Sequence, residues 1–395
     1  MATELIVSAL PGEIRAARLE DGLLSDLLIL REGTAGAAPV QAGDLFLAKV
    51  KRFDKGLDGA FVDLGLARDG LLPKKEAPGG IPPEGAGITV KVVRVPSEDK
   101  GARVSAKNLV LDPEQTKGVT APARLASDGA ALSDFARQGH VDRVVVDDAA
   151  LLRQLKAALG AEACGFDVHT APGDLFEAHG LEGELETLLT PRAELDGGGF
   201  LLIEPGQTLT AIDVNAGRHE GRGGQAAQAR AVNLAAVPEI ARQLRLRALS
   251  GLIVVDFLAM KAPEDRKAVS AALKAALAGD PEPCQVFGLS PSGLLEMTRR
   301  RGRAPLHEVL CRPCGLAGSG REKTPETLAY EALRHVAAEA RGKAVQRLTL
   351  RVAPAAAAAL AGGQAAALKA VEQHLGRAIE VEADPLVAGH ELVLG

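Results

Sequence analysis

The sequence predicts a multidomain α/β chain, and three observations carry that expectation. Short alternating segments broken by Gly- and Asp-containing turns crowd the first 110 or so residues, a strand-rich pattern. Two apolar runs that each end in a lone aspartate, Leu209-Thr-Ala-Ile-Asp213-Val-Asn215 and Gly251-Leu-Ile-Val-Val-Asp256-Phe257, read as strands either side of a helical stretch. The last 70 or so residues then mix helical and strand periodicities. A chain of 395 residues holds roughly two to four compact units, each with enough core to fold.

In order along the chain, residues 3 to 31 alternate like a hairpin, with Asp21-Gly22 as the tight turn. From Gly43 to about Asn108 come five short strands, beginning at Asp44, Gly59, Gly70, Ile88 and Ala102, which suggest a small closed barrel. A Pro-, Ala- and Ser-containing stretch from Asn108 to about His140 reads as a linker with one short helix, Ala130 to Gln138. Val141 to Asp147 is a strand and Ala149 to Leu159 a helix. Pro238 should start or kink the helix before the second aspartate, because proline in a helix interior costs about 3 kcal/mol or more. Near the end, a helix from Pro325 to Gly342, a strand from Val345, an alanine-rich helix around Ala355 to Leu375 and two further strands make a small α/β domain.

Composition narrows the class. Apolar runs fall short of the ~18 residues of a membrane span, and no basic-then-apolar segment opens the chain, so a cytoplasmic protein with no membrane contact is expected. Four cysteines do not make a disulfide framework in so long a chain. A net charge of -5 argues against a general coat of nucleic acid, so any such surface should be local. Arg299, Arg300, Arg301 and Arg303, and separately Arg242, Arg245 and Arg247, supply local positive charge.

A carboxylate where a buried strand surfaces sits on a rigid platform beside solvent, where one or two acidic side chains can hold a hydrated Mg²⁺. Either aspartate alone is as well read as a helix or turn cap. Asn215, Arg218 and Arg222 just after Asp213, and the Arg242-to-Arg247 run before Asp256, shift that balance. Carboxylates for a metal and arginines for phosphates point to metal-assisted hydrolysis of a nucleic-acid backbone.

The run from Gly198 to Arg303 resembles the catalytic core of the bacterial ribonuclease E/G endoribonucleases. Ala-Ile-Asp213-Val-Asn215, Glu239-Ile-Ala-Arg-Gln-Leu-Arg-Leu-Arg247, Gly-Leu-Ile-Val-Val-Asp256-Phe257 and Gly293-Leu-Leu-Glu296-Met-Thr-Arg299 stand in the family's order. The resemblance implies that Asp213 and Asp256 hold the catalytic Mg²⁺ and that Asn215 orients a carboxylate or the attacking water. Arg218, Arg222, Arg242, Arg245 and Arg299 would contact RNA. It further implies a ribonuclease H-like subdomain (1–40 and 139–190) with an inserted OB-fold barrel (41–110), and a DNase I-like catalytic subdomain (191–304). A zinc link (305–322) and a small C-terminal dimerisation domain (323–395) would follow.

In the barrel, Phe61 stands where the family places a base-stacking ring, and Lys49, Lys51 and Arg52 add charge. Leu71 replaces a second aromatic. Ribonuclease E inserts a domain after its barrel that recognises a 5′-monophosphate through an Arg-Thr pair. This chain has a linker there (111–138) without that pair, so 5′-end sensing is expected to be absent.

Cys311-Arg-Pro-Cys314 is half of a tetrahedral zinc site. The resemblance implies that a second protomer completes it, giving a homodimer or higher oligomer. A redox pair, and a site completed within the chain by His307, are the competing readings. The expected activity is Mg-dependent cleavage of single-stranded RNA to 5′-phosphate and 3′-hydroxyl ends. The alternative is an RNA-binding or ribosomal RNA maturation factor with weak or no cleavage.

Overall fold

The computed structural model describes residues 2–31, 40, 43–96, 100–107, 109, 118–126, 128–217, 224–290, 292–314, 320–340 and 347–394. Two compact units emerge: Met1–Leu24, Leu28–Leu181 and His307–Gly395 in one, Ser25–Leu27 and Glu182–Leu306 in the other.

Strands β1 (Thr3–Leu10), β2 (Glu13–Glu20) and β3 (Leu23–Arg31) form an antiparallel meander. Its second turn is the expected Asp21-Gly22 pair, whose φ values of 49° and 81° are those a type I′ turn requires. The first turn, Pro11-Gly12, divides what the sequence presents as one strand.

The barrel follows as expected. Its strands are β4 (Leu45–Asp54), β5 (Gly59–Asp63), β6 (Gly70–Pro73), β7 (Gly87–Arg94) and β8 (Arg103–Ser105). They pair in the order β4-β5-β6-β8-β7 and close because β7 returns to β4; β6 and β8 run parallel. This closed five-stranded barrel is consistent with an OB-like fold. Alternate residues, among them Phe46, Ala48, Val50, Ala60, Val62, Val90 and Val104, fill it.

The stretch after the barrel is more than a linker. Strand β9 (Ala123–Ala126) pairs with β4, and helix α1 (Asp128–Ala136) buries Leu132 and Phe135 against the first sheet. Strand β10 (Arg143–Val146) runs parallel to β1, helix α2 (Ala149–Leu159) is capped by the Asp148 side chain, and β11 (Gly165–Val168) runs parallel to β10. The sheet order is β3-β2-β1-β10-β11. Short helices α3 (Leu175–Ala178) and α4 (Leu181–Leu188) follow.

The second unit is built on a six-stranded sheet: β12 (Arg192–Glu194), β13 (Phe200–Pro205), β14 (Leu209–Asn215), then helix α5 (Gly224–Leu246) crossing to β15 (Gly251–Asp256), helix α6 (Pro263–Ala276), β16 (Cys284–Leu289) and β17 (Leu294–Arg299). Its order is β12-β13-β14-β15-β17-β16, with β14 and β15 parallel. One face is the core: Ile203, Ile212, Val214, Ile253, Val255, Leu295 and Met297 pack with Val232, Ala236, Ile240 and Leu244 of α5 and with Val269 and Leu273 of α6. Each such Val, Leu, Ile or Met side chain contributes about 1.5–3 kcal/mol on burial.

Pro238 neither starts nor ends α5, which is helical from Gly224 through to Leu246. The proline is exposed while its neighbours Val237 and Ile240 are buried, so the backbone bond it forfeits lies on the solvent side.

Helix α7 (Leu306–Leu310) leads to a hairpin of β18 (Cys311–Pro313) and β19 (Arg321–Lys323). Helix α8 (Pro325–Ala340), strand β20 (Leu348–Val352), helices α9 (Pro354–Ala361) and α10 (Ala365–Leu375), and strands β21 (Ile379–Ala383) and β22 (His390–Leu394) complete the chain. The alanine-rich segment is two helices, broken at Gly362-Gly363, where backbone entropy disfavours a continuous helix.

Helix α8 packs on the first sheet through Tyr330, which donates from its hydroxyl to the Gly12 carbonyl at 3.0 Å, and through a buried charge cluster. The Glu13 carboxylate accepts from Arg15 at 3.0 Å, Arg31 at 2.7 Å and Arg334 at 2.9 Å. Burial pushes that carboxyl up. The guanidiniums of Arg15, Arg31 and Arg334 outweigh it and hold the group far below the usual carboxylate range.

Candidate functional site

Strands β14 and β15 lie side by side with Asp213 and Asp256 as register partners, the last pair of the ladder. Register partners in a parallel sheet point to the same side and stand ~4.8 Å apart. That side is the one opposite the core: along β14, residues 209, 211 and 213 are exposed while 210, 212 and 214 are buried. Both carboxylates are therefore solvent-facing on rigid strands, as the apolar runs ahead of them require. Asn215, two residues beyond Asp213, donates from Nδ2 to Asp213 Oδ2 at 2.8 Å and fixes that carboxylate's rotation.

Glycine shapes the rim. Gly217 has a φ of +55°, and a Cβ there would stand 2.2 Å from the Gly198 carbonyl oxygen. The Gly197-Gly198-Gly199 turn thus presses on the backbone leaving β14, and no larger residue fits.

One residue at this end was missed by sequence reasoning. Asn233 on α5 is fully buried; its Nδ2 donates to the Leu258 carbonyl at 2.9 Å and its Oδ1 accepts from the Leu258 N–H at 3.0 Å. The side-chain amide thereby substitutes for a neighbouring strand and latches the backbone two residues past Asp256. The available signal was a lone amide on an otherwise apolar helix face, between Val232 and Ala236-Val237.

Among the described residues, the arginines expected to contact RNA lie away from the aspartates. In a β-α-β crossover between parallel strands the helix runs back antiparallel to them. Arg242 and Arg245 lie roughly 27–31 Å along α5 from its first residue, at the end away from Asp213. Arg242 is held by Glu239 at 2.8 Å, and Arg245 donates to the Ser25 carbonyl at 3.3 Å. Arg247 is buried and donates to the Thr190 carbonyl at 2.6 Å; burial lowers its pKa to about 10.

Arg299 is likewise misplaced by the linear reading. Strand β17 is antiparallel to β15, so Arg299 faces Gly251 and it is Leu294 that faces Asp256. Arg299 is 3% exposed, chelates Asp280 with two nitrogens at 2.9 and 2.8 Å, and donates to the Leu249 carbonyl. It ties down the far edge of the sheet and does not face a phosphate at the aspartates. Arg218 and Arg222 lie outside the described residues.

On the barrel, Phe61 points away from the core formed by its neighbours Ala60 and Val62. The Arg52 guanidinium lies 4.2 Å from its ring centroid, and Leu71 and Arg103 continue the same row across β6 and β8. Lys49 is exposed; Lys51 donates to Asp69 at 2.7 Å, a bond that raises its pKa. Arg103 joins this row without having been expected.

Cys311 opens β18 and Cys314 closes the loop, its N–H donating to the Gly320 carbonyl at 2.8 Å. Among the described residues no third His, Cys, Asp or Glu gathers with them, His307 included. The other two cysteines are unsuited to nucleophilic chemistry: burial pushes the Cys164 thiol up, and burial with Asp280 nearby pushes Cys284 up to about 11.

Comparison with known proteins gives the same direction. A profile of the Ribonuclease E/G family matches residues 105–302. Ribonuclease G of Escherichia coli strain K12 is 28% identical over 483 residues, covering 98% of both chains, and Ribonuclease G of Haemophilus influenzae is 27% identical over 85% of this chain and 87% of its own. Ribonuclease E of Escherichia coli strain K12 is 33% identical over 67% of this chain and 26% of its own. The paired strand-end aspartates, the closed barrel and these matches together establish that the chain belongs to the ribonuclease E/G family.

Proposed function

We propose that the chain is a Mg²⁺-dependent endoribonuclease that cuts single-stranded RNA to 5′-phosphate and 3′-hydroxyl products. The observation that carries this reading is the in-register pair Asp213 and Asp256 on the open face of their sheet. Two carboxylates and an orienting amide suit Mg²⁺, which keeps several waters and is bound through one or two carboxylates. When bound, Mg²⁺ supplies charge stabilisation at the scissile phosphate and a water of lowered pKa. Asp213 and Asp256 offer the negative charge that concentrates the cation there. Asn215 holds Asp213 in one rotamer through its 2.8 Å hydrogen bond, and Asn233 fixes the strand exit behind Asp256.

In this reading the first sheet is a ribonuclease H-like subdomain, supported by its order of three antiparallel strands followed by two parallel ones. The six-stranded sheet is DNase I-like. The barrel recruits RNA through Phe61, with Lys49, Lys51, Arg52 and Arg103 around it. The short stretch after the barrel leaves no room for a 5′-end sensor. The alignment to Ribonuclease G spans more residues than the 395 present here, so that relative carries sequence this chain lacks.

Cys311 and Cys314 hold half of a zinc site that a second copy of the chain completes, linking a homodimer. Two thiolates per chain leave two positions of a tetrahedral ion open.

The test is incubation of purified protein with an A/U-rich single-stranded oligonucleotide, with Mg²⁺ or with EDTA, followed by end-group analysis of the products. Cleavage only with Mg²⁺, to 5′-phosphate ends, supports the proposal; binding without cleavage in Mg²⁺ would favour an RNA-binding or ribosomal RNA maturation role.

A further inference from the structure

Phe287 is 58% exposed, among the most open of the large apolar side chains described. Its position follows from a bulge. Val286 faces Met297 and Gly288 faces Glu296, so two residues of β16 advance against one of β17, and Phe287 is the extra residue. A bulge of this kind sets the extra side chain beside that of the opposed residue. Glu296 is exposed and its neighbours Leu295 and Met297 are in the core, so Glu296 belongs to the open face and Phe287 stands next to it. Gly288, with a φ of +109°, supplies the backbone freedom that the bulge needs.

That face is the one bearing the aspartates. Glu296 is the register partner of Val254, two residues before Asp256 on the same side of β15. Phe287 is two strands across from Asp256 and one pleat repeat back, ~12 Å away. That separation is about three nucleotides for a strand that stays stacked at ~3.4 Å per nucleotide, and fewer for an extended one. Val254 and Leu294, the register partners of Glu296 and Asp256, occupy the ground between, so it is not walled by charge.

We propose that Phe287 and Glu296 form a base-binding subsite for the RNA that enters the Asp213–Asp256 centre, taking a base with an exocyclic amino group. The proposal rests on the endoribonuclease reading of that centre. The Phe287 ring stacks on the face of the base, an interaction open to every base. The Glu296 carboxylate, which only accepts hydrogen bonds, meets the base edge. It accepts from the amino group of cytosine and repels the carbonyl that uracil presents at the same position. The chain's cut-site preference thus has a determinant on the catalytic sheet itself, apart from the barrel surface around Phe61.

The chain contains no tryptophan, so Phe287→Trp introduces a single reporter. In EDTA, where cleavage is not required, octacytidylate should quench its fluorescence and bind more tightly than octauridylate. Adding Glu296→Gln, which offers both a donor and an acceptor, should erase that difference. With Mg²⁺, Phe287→Ala should raise KM about tenfold, equivalent to ~1.4 kcal/mol, with kcat little changed, and Phe287→Trp should restore it. Unquenched tryptophan at saturating RNA, or wild-type KM in Phe287→Ala, would overturn the proposal. So would a loss of dimer in Phe287→Ala by sedimentation with RNA affinity unaltered, which would make this face a contact between copies. Quenching of Phe287→Trp by RNA as described, with a wild type that binds RNA but does not cleave it in Mg²⁺, would instead count against the endoribonuclease reading.

Discussion

Replacing Asn233 with leucine removes both halves of the latch on Leu258 while keeping side-chain volume. The Leu258 N–H and carbonyl then lose partners at 3.0 and 2.9 Å beside a fully buried residue. Leaving a buried polar group unsatisfied costs about 1–3 kcal/mol, so two such groups set a loss of about 2–5 kcal/mol after partial relaxation. Part of that loss should appear locally, because the strand that carries Asp256 ends two residues earlier. Urea unfolding followed by circular dichroism reads the stability term; cleavage rate against Mg²⁺ concentration reads the local one. The expected result is a lower midpoint together with a higher Mg²⁺ requirement and unchanged RNA binding in EDTA. Asn233→Asp retains the acceptor but loses the donor, and should fall short of wild type in the same two assays. If Asn233→Leu unfolds like wild type and cleaves at the same Mg²⁺ concentration, the latch does not position Asp256.

Other consequences are as direct. Glu13→Leu strands three buried arginines and should cost about 3–5 kcal/mol, seen as a lower unfolding midpoint. Because the folded Glu13 carboxyl lies below its unfolded value, its contribution is complete above the ordinary carboxylate range and is lost as pH falls toward the folded value. Acid unfolding of wild type, but not of Glu13→Leu, should therefore carry that term below about pH 4. Cys311→Ser with Cys314→Ser should lower bound zinc and dimer fraction together; an unchanged dimer by sedimentation would remove zinc as the essential link. Substrates ending in 5′-monophosphate, triphosphate or hydroxyl should be cut at similar rates. A tenfold preference for the monophosphate, ~1.4 kcal/mol, would place a sensor somewhere in the chain. Phe61→Ala should weaken RNA binding whichever end is present.

The parts of the site legible in the sequence are those with local causes. An apolar run ending in aspartate states both that a strand is buried and where it surfaces, so Asp213 and Asp256 could be singled out before their pairing was known. Asp21-Gly22 and the five barrel strands were legible for the same reason, being short-range patterns with strong turn chemistry. The arginines show the limit. Arg242, Arg245 and Arg299 are near the aspartates in sequence, but helix α5 runs back against its strands and β17 runs antiparallel, so each is carried to the far end of the sheet. Proximity along the chain says nothing about such reversals. Strand β9 was lost in a linker because its partner is 76 to 81 residues away on β4 and its own four residues have weak periodicity. Asn233 is invisible to composition, since a helical asparagine reads as surface unless the burial of its neighbours is weighed. The break at Gly362-Gly363 was available and outweighed by the run of alanines around it.

In the proposed mechanism Asp213 and Asp256 act together through a divalent cation. Its most direct test is single-turnover cleavage of an internally labelled single-stranded RNA by wild type, Asp213→Asn and Asp256→Asn across a Mg²⁺ titration, with RNA affinity measured in parallel. Asparagine keeps the shape and removes the charge, so both variants should cleave slower by orders of magnitude at every Mg²⁺ concentration while binding RNA as well as wild type or better. Wild type that cleaves equally in EDTA, or an aspartate variant that cleaves as fast as wild type, would contradict it.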